Sequence, residues 1–245
     1  MSTLAVPTST RPIVYPDTDG MPMAENTLQF QWIVTIKGGL DHLFADNPGV
    51  FVAGDLFWYP VEGHPEIRMA PDALVVFGRP KGHRLSYMQW EEDGISPQVV
   101  FEVLSPGNRF GEMLRKFEFY QRHGVEEYYI YNPDPQRLDL SGFLRRDDNL
   151  VEIPSMNGHV SPRLNVSFEM AGQGLRIIRP DGQPFLTYEE VAEREERHRH
   201  RAEQEFNRAE QERLRAEHER LRAEQAVAEV EQLRRRLRAL GQDSE

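Results

Sequence analysis

The stretch PQVVFEVLSPGNRFGEMLRKFEFY, residues 97–120, sets one carboxylate, Glu102, inside the apolar run Val99-Val100-Phe101-Glu102-Val103-Leu104. A buried carboxylate either takes up a proton as its pKa rises or keeps its charge beside a partner of opposite sign. That partner is a cationic side chain or a metal ion. Two other residues offer the matching chemistry. Asp72 follows Pro71 at the entrance of a second apolar run, ALVVF, and Lys116 follows Glu102 at helical distance from it. Two carboxylates on neighbouring strands can hold Mg²⁺, which prefers oxygen ligands and keeps several waters. Such an ion activates water and steadies the charge of a phosphodiester under attack, while an ammonium adds electrostatic help. Each residue also has an ordinary alternative. An Asp after Pro is commonly a turn or capping residue, and a lysine at a helix edge is commonly solvated. Glu102 differs, because its apolar neighbours require a buried Arg or Lys if no metal is present. The spacing D-x₂₉-E-x₁₃-K is unspecific by itself.

The elements that must position these groups follow from periodicity. Leu28, Trp32, Ile33, Ile36, Leu40, Leu43 and Phe44 recur at helical spacing between Asn26 and Phe44. Gly38 and Gly39 inside that stretch weaken a helix by about 1 kcal/mol each. Val50–Tyr59 (VFVAGDLFWY) reads as one strand, Ala73–Phe77 as a second, and a polar Gly-containing loop fills 78–96. The strand bearing Glu102 spans about 98–105, and Asn108 is placed to cap a helix over about 109–123. On that helix Phe110, Met113, Leu114, Phe117 and Tyr120 form an apolar stripe, with Lys116 at its margin near Tyr120. Gly124 suits the helix stop, and EEYYIY (126–131) is a further strand. Shorter strands are expected around 137–144, 150–153, 165–170 and 175–178. The central run VVFEVL, apolar on both faces, points to a mixed or parallel α/β sheet.

The C-terminal part is different. Thr187-Tyr188-Glu189-Glu190 has capping-box spacing, and no Gly or Pro follows until Gly241. The spacing predicts one helix over 188–240 carrying the heptads RAEQEFN, RAEQERL, RAEHERL and RAEQAVA. Ala223, Ala226, Val230, Leu233, Leu237 and Leu240 alternate spacings of three and four, a coiled-coil seam. The earlier turns are weakly apolar and read as a solvated helix held by Glu–Arg pairs. The expected organisation is therefore an arm over 1–21, a domain over 22–187, and a long helix with coiled-coil character over 188–245.

Composition narrows the function classes. The 245 residues contain no cysteine, which removes disulfides, thiolate zinc sites and a cysteine nucleophile together. No apolar run is long enough to span a membrane and the N-terminus lacks signal-peptide order, so the expectation is a soluble cytoplasmic protein without membrane association. The net charge of −11 argues against coating nucleic acid by bulk electrostatics. Residues 189–245 hold 16 acids and 13 bases, leaving 24 acids and 16 bases in residues 1–188, so the compact part carries most of the acidity. His198 and His200, two apart on a helix, cannot converge on one ion. Trp32, Trp58 and Trp90 read as packing residues rather than base-stacking platforms. Arg109 and Arg115 flank the presumed site and are candidates for phosphate contact. Phosphate-loop, dinucleotide and serine-nucleophile patterns are absent.

The runs PDALVV, VVFEVLSPGNR and KFEFYQRHGVEEYYIYNP, in this order, resemble the Uma-two family of bacterial endonucleases within the PD-(D/E)XK nuclease superfamily. Lys116, Tyr120, Gly124 and Val125 match that family's Lys-x₃-Tyr-x₃-Gly-Val pattern position by position, and the likeness covers about residues 22–188. It implies a restriction-endonuclease-like α/β core, DNA as substrate, Mg²⁺ or Mn²⁺ as cofactor, and Asp72 and Glu102 as metal ligands. The lysine that the superfamily places two residues after the acid would fall at Leu104, so the resemblance assigns its role to Lys116. Glu25, from the first helix, is the expected additional acid, and Asp55, on the first strand, is a further candidate. The two readings that follow are a Mg²⁺-dependent DNA endonuclease and a catalytically silent nuclease-fold module that binds or assembles through its coiled coil. Homo-oligomerisation through the core or the helix is expected in either case.

Overall fold

The computed structural model describes residues 13–18, 20, 24–172 and 174–242. The chain begins with helix α1 (Thr27–Leu43), where the Asn26 side chain accepts a hydrogen bond from the backbone N–H of Gln29 and so caps the N-terminus. Strand β1 (Val50–Ala53) follows. The segment expected as one strand to Tyr59 instead breaks at Gly54-Asp55, where Asp55 adopts a φ of 49°. The short β2 (Trp58–Tyr59) leaves the main sheet and pairs in parallel with β4 (Tyr87–Met88). Between them lies β3 (Ala73–Phe77). The polar loop after β3 is less open than its composition suggests, because Glu92 receives both Arg79 and Arg84 within it.

Strand β5 (Val99–Val103), helix α2 (Phe110–Arg122) and strand β6 (Glu127–Asn132) form a β–α–β unit with β5 and β6 parallel. Strands β7 (Asp139–Arg146) and β8 (Asn149–Glu152) extend the sheet as a hairpin. The six-stranded sheet has the order β1-β3-β5-β6-β7-β8 and is antiparallel except at β5–β6, which makes it a mixed α/β sheet. A separate hairpin, β9 (Ser167–Ala171) and β10 (Gly174–Ile178), completes the strands.

Two cores lie on the two faces. Ile33, Ile36 and Leu40 of α1 pack with Val75, Val99, Phe101, Val103 and Tyr129, and with Phe168 and Ile177 of the hairpin. The other face gathers Leu74, Val76, Val100 and Tyr128 with Trp58 and with Tyr120 of α2. The strand period of two therefore sends odd residues of β5 to α1 and even residues to α2. Glu102 is even. Gly124, at a φ of 90°, ends α2 as expected. Asn108 does not cap α2. Arg109 occupies that position without a side-chain cap, and the Asn108 side chain instead accepts from the Ser105 N–H, closing the turn after β5.

The described residues fall into two compact units, one ending at Tyr188 and the other starting at Glu189. The second is helix α3 (Tyr188–Gln242). Ion pairs such as Arg197–Glu193, Arg208–Glu212 and Arg220–Glu224 run along it, and Phe206, Leu214, Leu221, Val227, Val230 and Leu233 are all exposed. The side chains of Leu237 and Leu240, which complete the expected seam, lie outside the described residues. So does most of the arm expected over 1–21, although Tyr15 within it packs against Tyr59 and Trp90.

Candidate active site

Three elements converge on Glu102. Ala73 pairs with Phe101 across β3 and β5, so Asp72, at the entrance of β3, stands beside Glu102 on the α2-facing side. The Val103 N–H donates to Asp72 Oδ2 at 2.6 Å, so a side chain extends the ladder where the strand begins. From α2, Lys116 Nζ reaches Glu102 Oε2 at 2.6 Å, and the Tyr120 hydroxyl donates to Oε1. Lys116 and Tyr120 are four apart and so share one side of the helix. Glu102 is 2% exposed, and Lys116 and Tyr120 between them satisfy both of its oxygens.

The electrostatics are those of a crowded acid pair. Burial and then the charge of Glu102 push the Asp72 carboxyl well above the usual carboxylate range, against the opposing pull of Lys116 and the Val103 N–H. Burial alone would lower the Lys116 ammonium, but Glu102 and Asp72 outweigh it and hold the pKa above its ordinary value. Burial, with Glu102 adding to it, drives the Tyr120 hydroxyl well up, so it remains a donor.

The other expected residues lie apart from this contact. The Glu25 carboxylate accepts from the Ser105 hydroxyl and lies against Gly107, in the turn after β5, while its own N–H donates to the Gln29 side chain. Gln29 in turn donates to the Val103 carbonyl at 2.9 Å, tying α1 to the end of the Glu102 strand. Asp55 is not on a strand. It is exposed in the bend after β1, with its N–H on the Pro71 carbonyl next to Asp72. Arg109 and Arg115 are exposed at the start of α2, and Leu104 is half-buried beyond the strand. His198 and His200 are exposed on α3. Trp32, Trp58 and Trp90 all pack against other aromatic rings.

A hard divalent cation fits this donor set. The pair offers oxygen donors only, with Glu102 buried, Asp72 half-buried, and the charge of Glu102 acting on Asp72, an arrangement that a cation would stabilise. Among the described residues no group of three or more His, Cys, Asp or Glu is placed to hold a metal ion. Sequence reasoning gave no role to Tyr120, although its position four residues after Lys116 was the available signal, nor to Gln29 and Tyr128.

A profile of the Uma2 family, described as "Putative restriction endonuclease", matches residues 21–171. Among solved structures, one similar chain is described as "a putative nuclease belonging to DUF820" from Anabaena variabilis. It is 14% identical, with 63% of this chain and 87% of that chain covered and a TM-score of 0.41. No curated protein matches.

Proposed function

The chain belongs to the Uma2 family, and from that premise we propose that it is a Mg²⁺- or Mn²⁺-dependent endonuclease hydrolysing DNA phosphodiester bonds at Asp72, Glu102 and Lys116. The observation that supports this most is the 2.6 Å contact of Lys116 with the buried Glu102, beside the crowded Asp72. Asp72 and Glu102 would hold the ion, which when bound supplies charge neutralisation and an acidified water. Lys116 keeps its proton and offers positive charge to the phosphate oxygens. Tyr120 holds Glu102 in one orientation. Glu25 supports the turn after β5 rather than touching the pair, so its proposed contribution is to positioning.

The α/β unit would be sufficient for the chemistry, with α3 acting in self-association. The alternation of Val230 and Leu233 with Ala223 and Ala226, exposed along α3, favours pairing with a second copy through a coiled coil. A cytoplasmic setting suits a cysteine-free chain with DNA as substrate.

The deciding experiment is nicking of supercoiled plasmid by purified protein with Mg²⁺ or Mn²⁺, beside Asp72→Ala and Glu102→Ala. Cleavage by the wild type and its loss in both variants is expected. A variant that cleaves at the wild-type rate would remove its residue from the site. A wild type inert on both DNA and RNA would leave the silent assembly module as the reading.

A further inference from the structure

The carboxylate-site reading leaves one buried group without a task. Tyr128 lies on β6 opposite Val100 and faces α2, diagonal to Glu102 on the neighbouring strand. Its ring centroid is 4.9 Å from that of Tyr120, whose hydroxyl rests on Glu102, so two phenols approach the acid pair from adjacent elements. The ring is enclosed by Phe117 and Phe143, and Tyr128 is 0% exposed. Its hydroxyl meets no hydrogen-bond partner among the described residues. Burying a hydroxyl unpaired costs about 1–3 kcal/mol, and phenylalanine would fill the same ring space without that cost. Burial, with the charges of Glu102 and Asp72 adding to it, pushes this hydroxyl well above its ordinary value, so it stays protonated as a donor on the face it shares with Glu102.

Resting on the nuclease reading, we infer that Tyr128 is a positioning residue that binds one water molecule against the Asp72–Glu102 pair. A buried water needs two to four polar partners, and this corner supplies them. The Tyr128 O–H donates to the water oxygen, the two carboxyls accept its protons, and one lone pair is left for an electrophile. A hydrolase site gains from such an arrangement, because the attacking water is already oriented before substrate arrives.

The test compares wild type with Tyr128→Phe. Crystals of the metal-free proteins, at a resolution that defines ordered water, should show density about 2.7–3.2 Å from the Tyr128 hydroxyl and from a carboxylate oxygen. That density should be lost in Tyr128→Phe, whose metal-free melting temperature is unchanged or higher. Single-turnover cleavage should slow on the order of 10- to 100-fold, with DNA affinity unchanged. No such density in the wild type, or a variant cleaving at full rate, would overturn the inference. If the wild type cleaves nothing, the endonuclease reading fails instead, and the metal-free crystals alone decide whether Tyr128 holds a water.

Discussion

Asp72 stands beside the buried Glu102, whose charge weighs on it, and the consequence can be read from stability alone. The folded-state pKa of Asp72 is raised above its unfolded value. As pH rises, the unfolded chain therefore releases this proton first, and the group's contribution to stability falls from the ordinary carboxylate pKa upward until the folded pKa is passed. Asp72→Asn keeps an oxygen for the Val103 N–H and removes the titration. It should raise stability at pH 7 by about 1–2 kcal/mol, a gain that thermal melting shows shrinking to nothing below a pH of about 4. Lys116 makes a complementary test. Its ammonium donates to Glu102 Oε2. Lys116→Ala should thus lose at least ~100-fold in cleavage rate, while calorimetry finds Mg²⁺ binding undiminished. Lys116→Arg should not restore the rate fully, because a planar guanidinium reaches differently.

At the scale of the element, α1 shows how a helix can contain two glycines with opposite meanings. A Cβ at Gly38 would meet nothing within 4 Å, whereas one at Gly39 would lie 2.1 Å from the Phe185 ring. Phe185 is buried and its N–H is held by the Ile177 carbonyl, so the ring has little room to retreat. Gly38→Ala should stabilise by about 1 kcal/mol through helix propensity. Gly39→Ala should destabilise by about 1–3 kcal/mol through overpacking. Urea titration of the two variants checks both signs, and equal shifts would exclude the Phe185 contact. The same α1 carries Gln29 to the Val103 carbonyl, so a shift of this helix is felt at the end of the strand that bears Glu102.

For the whole molecule, the division after Tyr188 predicts separable properties. Truncation should follow Tyr188 rather than precede Phe185, which belongs to the α1-side core. A chain ending at Tyr188 should retain cleavage and sediment with fewer copies per particle than the full chain. Leu233→Glu in the full chain should reproduce that loss of association, because two copies would then face like charges across the seam. A monomer in all three cases would leave α3 a solvated single helix held by its Glu–Arg pairs. Loss of cleavage in a folded chain ending at Tyr188 would assign the helix to the active unit.

Local periodicity was enough to read the order of the longer elements, the burial of Glu102 in a central strand, and Lys116 on the helix that covers it, but not the short β2 and β4. Those properties depend on residues two to four apart, whose faces and dihedral preferences are written in short stretches. The capping role expected of Asn108 failed, because a side chain at a turn can bond forward or backward with similar ease. Long-range choices were not legible. Tertiary structure alone pairs β3 antiparallel with β5 and so brings Asp72 beside Glu102. It also takes Trp58-Tyr59 out of the main sheet, sends Glu25 to Ser105, and buries the Tyr128 hydroxyl without a partner among the described residues. Strand neighbours and register are decided by which apolar faces can be buried together. That is a property of the packed sheet, not of any window of sequence.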